Sequence, residues 1–162
     1  MRKAQGRQNP AGLFGGIALS HKKGGKPMSP DALIAAARQA RKNAYCPYSG
    51  FAVGAALLAA SGKVYVGANC ECASFGGTIC AERAALTAAL TAGERAFSAL
   101  AVTGGEKPLT PCGICRQMLS EFTARDFPVY CAPAKGEARL TTTLQALLPH
   151  GFGAEDLSPD RD

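Results

Sequence analysis

The chain has no tryptophan and only two histidines, and nowhere does it approach the roughly 20 consecutive apolar residues that a membrane helix needs. A membrane-spanning helix is therefore excluded, and the early apolar stretch around Leu13 to Leu19 is too broken by glycines to read as a signal-peptide core. Acids are missing from residues 1–30, which carry Arg2, Lys3, Arg7, Lys22, Lys23 and Lys26. The whole net charge of +6 sits there, because the remaining 12 basic side chains are matched by 12 acidic ones. A formally neutral body lacks the clustered Lys and Arg that grip phosphates, so nucleic-acid binding by the core is not expected. His21 lies in the basic stretch and His150 beside Pro149, and both are expected to face solvent. Seven cysteines are an odd number and argue against a disulfide framework. Reduced thiols fit the cytoplasm, where closely spaced cysteines bind metal or do chemistry.

At 162 residues the chain suits one domain with a buried core. Residues 1–28 are expected to be a disordered basic extension ending in Gly24-Gly25-Lys26-Pro27. The lack of acids there resembles an organellar transit peptide, although serine is scarce and amphipathic spacing weak. Ser29-Pro30-Asp31 combines a capping hydroxyl, a proline for the first helical position and an acid at the positive dipole end, which predicts a helix to about Asn43. Residues 52–60 and 63–68 flank the Ser61-Gly62 turn pair and read as a hairpin. The first of these strands is apolar almost throughout, so it belongs inside a sheet covered on both faces. A helix over 80–92 stopping at Gly93, a strand over 97–103, a helix over 112–123, strands over 128–132 and 137–142 and a short helix over 143–148 complete the pattern. Helices interleaved with five apolar strands predict a three-layer α/β/α sandwich on a mixed central sheet, spanning 29–157 before a short tail at 158–162.

Two segments carry the chemistry, Cys80-Ala81-Glu82-Arg83 and Pro111-Cys112-Gly113-Ile114-Cys115, and each begins a predicted helix. Cysteines at i and i+3 on a first turn project the same way, and the positive helix end favours their thiolates, the form that zinc binds. If the two helix starts face one another, Cys80, Cys112 and Cys115 occupy three corners of a tetrahedron and leave the fourth for water. A lone Cys-x-x-Cys pair reads equally as a structural zinc ribbon or a redox dithiol. A structural site, however, takes four protein ligands and has no use for a carboxylate two residues from one of them. Cys70 and Cys72 remain possible fourth ligands; Cys46 and Cys131 are read as packing.

Cys-x-Glu followed by Pro-Cys-x-x-Cys is the all-cysteine version of the zinc deaminase signature. Together with Ala44 to Ser49, Phe51 to Ala56, Asn69 to Ala73, Ile79 to Arg83, Pro111 to Gln117 and Phe152 to Leu157, it resembles the homotetrameric cytidine deaminases over roughly residues 29–157. The resemblance implies hydrolytic deamination of cytidine and deoxycytidine to uridine and deoxyuridine with release of ammonia, as in pyrimidine salvage. It also implies one zinc per subunit and a homotetramer with shared active sites. Zinc would supply hydroxide near neutral pH, and Glu82 would move the protons. Three thiolates on one zinc leave a negative centre, which two helix N-termini and Arg83 can offset; Arg116 is a weaker candidate, and the lesser alternative for Arg83 is a solvated helix residue.

By the same resemblance Asn69 and Glu71 bind the ribose, Phe51 packs on the pyrimidine and the backbone amide of Ala81 faces its carbonyl. Phe75 stands where relatives often have Tyr reaching the sugar's 5′ end from a neighbouring subunit, and Phe152 closes over the substrate from another chain. On residue type alone, Asn69 and Glu71 could merely cap their loop, and Phe51 and Phe152 could be local packing. Gly76-Gly77 is also found in some blasticidin-type deaminases, which leaves another aminopyrimidine as an alternative substrate.

Overall fold

The computed structural model describes residues 28–157; the expected extension, His21 and the final tail lie outside the described residues, save Met28. Helix α1 (Pro30–Arg41) starts as its residues dictate: the Ser29 Oγ accepts from the Ala32 amide at 3.2 Å, and Pro30 needs no amide partner. Strands β1 (Val53–Ala59) and β2 (Val64–Ala68) form the expected hairpin. Then come α2 (Ala81–Thr91), β3 (Phe97–Gly104), α3 (Gly113–Ser120), β4 (Pro128–Ala132), β5 (Leu140–Thr143) and a one-turn α4 (Leu144–Leu147). The five strands make one mixed sheet in the order β2-β1-β3-β4-β5, antiparallel except for β3 with β4, whose parallel pairing requires the crossover through α3. No helix among the described residues is long and apolar enough to cross a membrane.

The uninterrupted apolar run of β1 has the cause expected of it, burial on both faces. Leu33, Ile34 and Ala37 of α1 pack with Ala56, Val64 and Ala101 on one face. Ala85, Leu86 and Ala89 of α2 pack with Ala55, Leu57, Leu100, Val102 and Val129 on the other, where Leu119 of α3 and Leu144 of α4 join them. Period-2 alternation along β1 sends neighbouring side chains to opposite layers.

Two glycines let the helices approach the sheet at backbone distance. A Cβ on Gly54 would lie 2.1 Å from the Ala37 carbonyl of α1, and one on Gly67 would lie 2.3 Å from the Ala81 carbonyl and 2.5 Å from the Ala85 amide of α2. The first turn of α2, which carries Glu82, thus rests on the backbone of β2.

The structure differs from the sequence expectation at two ends. Helix α3 stops at Ser120 rather than 123: the Phe122 amide turns back to the Leu119 carbonyl at 3.1 Å, and the Thr123 hydroxyl donates to the same oxygen at 2.9 Å. Local side-chain bonding of this kind competes with helix continuation. Strand β5 begins at Leu140 rather than 137, because β4 ends at Ala132 before Pro133 and the register has already paired Cys131 with Leu140. Two 3-10 turns, Phe75–Gly77 and Ala154–Leu157, have no periodicity by which to be read in advance.

Candidate active site and metal centre

Cys80 and Cys112 are the N-cap residues of α2 and α3, and neither side chain caps its own helix. Their sulfurs are therefore free to meet across the gap between the two helix starts. The Cys80 and Cys112 Sγ atoms lie 3.7 Å apart and the Cys112 and Cys115 Sγ atoms 3.5 Å apart. All three sulfurs lie within 4.8 Å of one another, and no fourth His, Cys, Asp or Glu among the described residues joins the group. Zinc–thiolate bonds of about 2.3 Å at tetrahedral angles put sulfurs about 3.8 Å apart, so the cluster fits zinc without rearrangement. The structure leaves Cys70 and Cys72 outside. Cys70 is exposed, bridged by its backbone to Tyr45 and Ile79, and the Cys72 thiol donates to the Ser74 carbonyl at 2.7 Å. Three protein donors are the count of a catalytic site; a structural one takes four.

The electrostatics are those of a site built for thiolates. Hydrogen bonding from Cys115, opposed by burial and assisted by Cys112 and Arg83, brings the Cys80 thiol down to about 5. The same sharing, with burial, pushes the Cys115 thiol far up. Arg83 is no solvated helix residue. Its Nη2 donates to the Thr78 carbonyl at 2.7 Å, and its Nε is buried without a partner. A buried guanidinium nitrogen beside Cys80 and Cys115 is the donor that a thiolate cluster calls for, and against the opposing effect of burial the bond and charge of Cys80, with Cys115, hold Arg83 more firmly charged. Arg116, by contrast, faces away from the sulfurs' needs: it donates to the Pro111 carbonyl at 2.6 Å, the Leu147 carbonyl at 2.7 Å and the Thr110 hydroxyl at 2.9 Å. It fixes the approach to Cys112 against α4, a role its sequence position does not signal.

Glu82 is buried to 4% exposure on the first turn of α2, and burial above all, with the Cys80 charge adding to it, pushes its carboxyl up to about 7. A carboxyl there can hold or release a proton near neutral pH. Ala81 opens the same helix, where amides lack intrahelical partners and can face a ligand. Cys131, buried on β4, is pushed up to about 11 by burial and then by the Glu82 charge, which suits a thiol that packs and does not react.

Phe51, Glu71 and Phe75 lie on a surface rim made by residues 42–52 and 69–75. Phe51 is 48% exposed, with its ring edge over Gly105, and so is not core. Tyr48 and Phe75 meet edge to face with ring centroids 5.8 Å apart, and a shallow pocket lies between them and Ser49, Glu71 and Thr78. Asn69 is buried, accepting from the Val53 amide at 2.8 Å and donating to the Phe51 carbonyl at 2.9 Å. Glu71 is partly exposed and accepts from the Tyr48 and Ser49 amides at 3.0 and 3.2 Å. Both therefore brace the loop. Phe152 stands apart on the C-terminal segment, 55% exposed, its carbonyl held by the Gln117 amide at 2.7 Å. His150 is exposed, as expected.

The profile of the cytidine and deoxycytidylate deaminase zinc-binding region matches residues 28–131. The chain is 48% identical over 132 residues to the cytidine deaminase of Sporosarcina psychrophila, covering 81% of this chain and 96% of that one. Its fold matches the crystal structure of cytidine deaminase from Burkholderia pseudomallei with a TM-score of 0.74 at 46% identity, over 77% of this chain and all of that one. Against the Mycobacterium tuberculosis cytidine deaminase structure the TM-score is 0.67 at 40% identity, over 76% of this chain and 96% of the other. Both ligand segments fall inside the matched region, and by sequence and fold alike the chain belongs to the zinc-binding cytidine and deoxycytidylate deaminase family.

Proposed function

We propose that the chain hydrolyses cytidine and deoxycytidine to uridine and deoxyuridine, releasing ammonia. The observation that carries this is the convergence of three cysteine sulfurs with a buried carboxyl, Glu82, at two facing helix starts. Cys80, Cys112 and Cys115 would hold zinc, which when bound lowers the pKa of water so that a nucleophile for ring C4 exists near neutral pH. Glu82 serves as proton carrier. Its carboxylate accepts a proton from the attacking water and delivers it to ring N3, then accepts the proton of the hydroxyl newly added at C4 and delivers it to the departing amino nitrogen. Arg83 and the two helix N-termini offset the thiolate charge. Phe51 covers the ring, the Ala81 amide faces its carbonyl, and Asn69 and Glu71 hold sugar hydroxyls with the donor and acceptor capacity that their loop contacts leave. An ultraviolet assay for loss of the cytosine chromophore tests the reading: cytidine and deoxycytidine are expected to be consumed with one ammonia per turnover. A preference for blasticidin S, or no turnover with zinc present, overturns it.

The site is shared between subunits of a homotetramer, with Phe75 and Phe152 reaching toward neighbouring pockets. Supporting this, Tyr45, Tyr48, Phe75, Ile79, Ile114 and Phe152 are all large apolar or aromatic side chains left at 40% exposure or more. Of these, Tyr48 and Phe75 touch each other beside a shallow pocket, which gives an exposed aromatic pair for a neighbouring subunit to cover. Mixing Glu82→Ala with Phe152→Ala subunits, each inactive or strongly impaired alone, is expected to restore part of the activity. Verified subunit exchange without recovery would assign Phe152 to its own chain's site. All seven cysteines are free, which supports a cytoplasmic location.

A further inference from the structure

The segment between α1 and β1, residues 42–52, has almost no regular structure, yet it carries Tyr48 and Phe51 to the rim. Its shape depends on what ties it to the strand-end segment Asn69–Cys72. The Tyr45 amide donates to the Asn69 carbonyl at 2.9 Å and the Glu71 amide to the Tyr45 carbonyl at 2.8 Å, which fixes the two segments side by side. Beyond that point the ties are made by side chains. Glu71 Oε2 accepts from the Tyr48 and Ser49 amides, and Glu71 Oε1 accepts from the Ser49 hydroxyl. The same Ser49 Oγ accepts from the Phe51 amide at 2.9 Å. The Phe51 carbonyl, in turn, is held by Asn69 Nδ2. Both backbone polar groups of Phe51 therefore end on side chains, one of them directly linked to Glu71.

A serine hydroxyl has one proton to give, and here it goes to Glu71; a lone pair of the same oxygen takes the Phe51 amide. The two bonds polarise one another, since a hydroxyl donating to a carboxylate becomes a better acceptor. Ser49 also holds the Glu71 carboxyl below its ordinary range, which keeps it an acceptor. Removing the hydroxyl would cut the Glu71–Phe51 link while leaving both backbone amides on Glu71 Oε2 and Asn69 on the Phe51 carbonyl. The loop would stay folded and lose only the register between carboxylate and ring.

We infer that Ser49 is a positioning residue for the nucleoside, its hydroxyl setting the sugar-side carboxylate of Glu71 and the ring-side face of Phe51 at a fixed distance from each other. The inference rests on the deaminase reading above, in which Glu71 meets the sugar and Phe51 the base. Base and sugar of a nucleoside are joined by a single glycosidic bond that limits the span between them, so a site that fixes the spacing of its two walls selects both as one unit and loses less freedom on binding.

The test is a double-mutant cycle on the zinc-loaded enzyme, with cytidine as substrate. Ser49→Ala is expected to raise KM about tenfold or more with kcat within about threefold, as losing a bond to a charged partner predicts. Ser49→Thr, which keeps the hydroxyl, restores KM to within about threefold. In a Glu71→Gln background the further effect of Ser49→Ala shrinks to less than about threefold, because residues acting through one another are not additive. Zinc content and thermal midpoint are expected to follow the wild type. An unchanged KM in Ser49→Ala, equal damage from Ser49→Thr, or an undiminished effect in the Glu71→Gln background overturns the positioning role while the deaminase reading stands. A wild-type chain that leaves cytidine untouched overturns both.

Discussion

Glu82→Ala is expected to keep its zinc and its fold and to lose turnover by several orders of magnitude. The structure gives reasons for each half of that result. The carboxyl is not among the three sulfur donors, and it lies buried at 4% exposure, where a carboxyl is costly to hold. Removing it relieves that burial cost while giving up its bonds to its own amide and to Cys115, so the thermal midpoint should stay close to the wild type. On the proposed mechanism one group would carry a proton at ring N3 and again at the leaving nitrogen, and since a single acid–base step alone is worth about a hundred- to ten-thousand-fold, the expected chemical loss is large. The checks are zinc analysis, a melting curve and the ultraviolet assay on one preparation. A Glu82→Ala protein that lacks zinc and regains activity when zinc is added would make the residue a ligand and remove it from proton transfer.

Of similar size is the expected effect of losing any one of the metal-binding sulfurs. Cys80→Ser, Cys112→Ser and Cys115→Ser should each abolish stoichiometric zinc and with it measurable turnover. The cluster has three donors, so none is redundant. Cys115 is fully buried, so its replacement leaves the other two sulfurs without their third partner inside the protein, and that variant should also be the least stable of the three. Cys46→Ser, Cys70→Ser and Cys72→Ser should retain zinc at wild-type levels. Cys131→Ser is distinct: it should melt lower, because its new hydroxyl is buried on β4, and still bind one zinc per chain. Metal analysis of the seven variants decides the matter. Zinc released by Cys70→Ser or Cys72→Ser would point to a closed, four-sulfur site.

The chemistry was legible in the sequence because its donors are local. Cys80 with Glu82, and Cys112 with Cys115, each lie within one helical turn, and only the facing of the two helix starts had to be supplied by the fold. The sheet was legible for a similar reason: the apolar run of β1 has one economical explanation, burial on two faces. What escaped is whatever depends on length or on partners distant in the chain. The end of α3 is decided by hydroxyl and amide bonds to one carbonyl, and the start of β5 by where β4 runs out. Ser49 looks like an ordinary turn residue until Glu71, 22 positions away, is beside it. Arg116 reads as a neighbour of a ligand and is a clamp on Thr110, Pro111 and Leu147.

The contact at Gly67 bears on how such a site tolerates change. Because α2 rests peptide on peptide against β2 at Ala81 and Ala85, the height of Cys80 and Glu82 above the sheet is set by main-chain thickness, a dimension no side chain can alter. Exchanging Leu86, Leu100 or Val129 for another aliphatic residue changes the packed filling and leaves that peptide contact itself untouched. A methyl group at Gly67 would do what none of those exchanges does: it would lift one wall of the metal centre while Cys112 and Cys115 stayed on the other. The gap between the sulfurs thus behaves like a gauge ground into the backbone, and a hydrogen atom at position 67 is its reference surface.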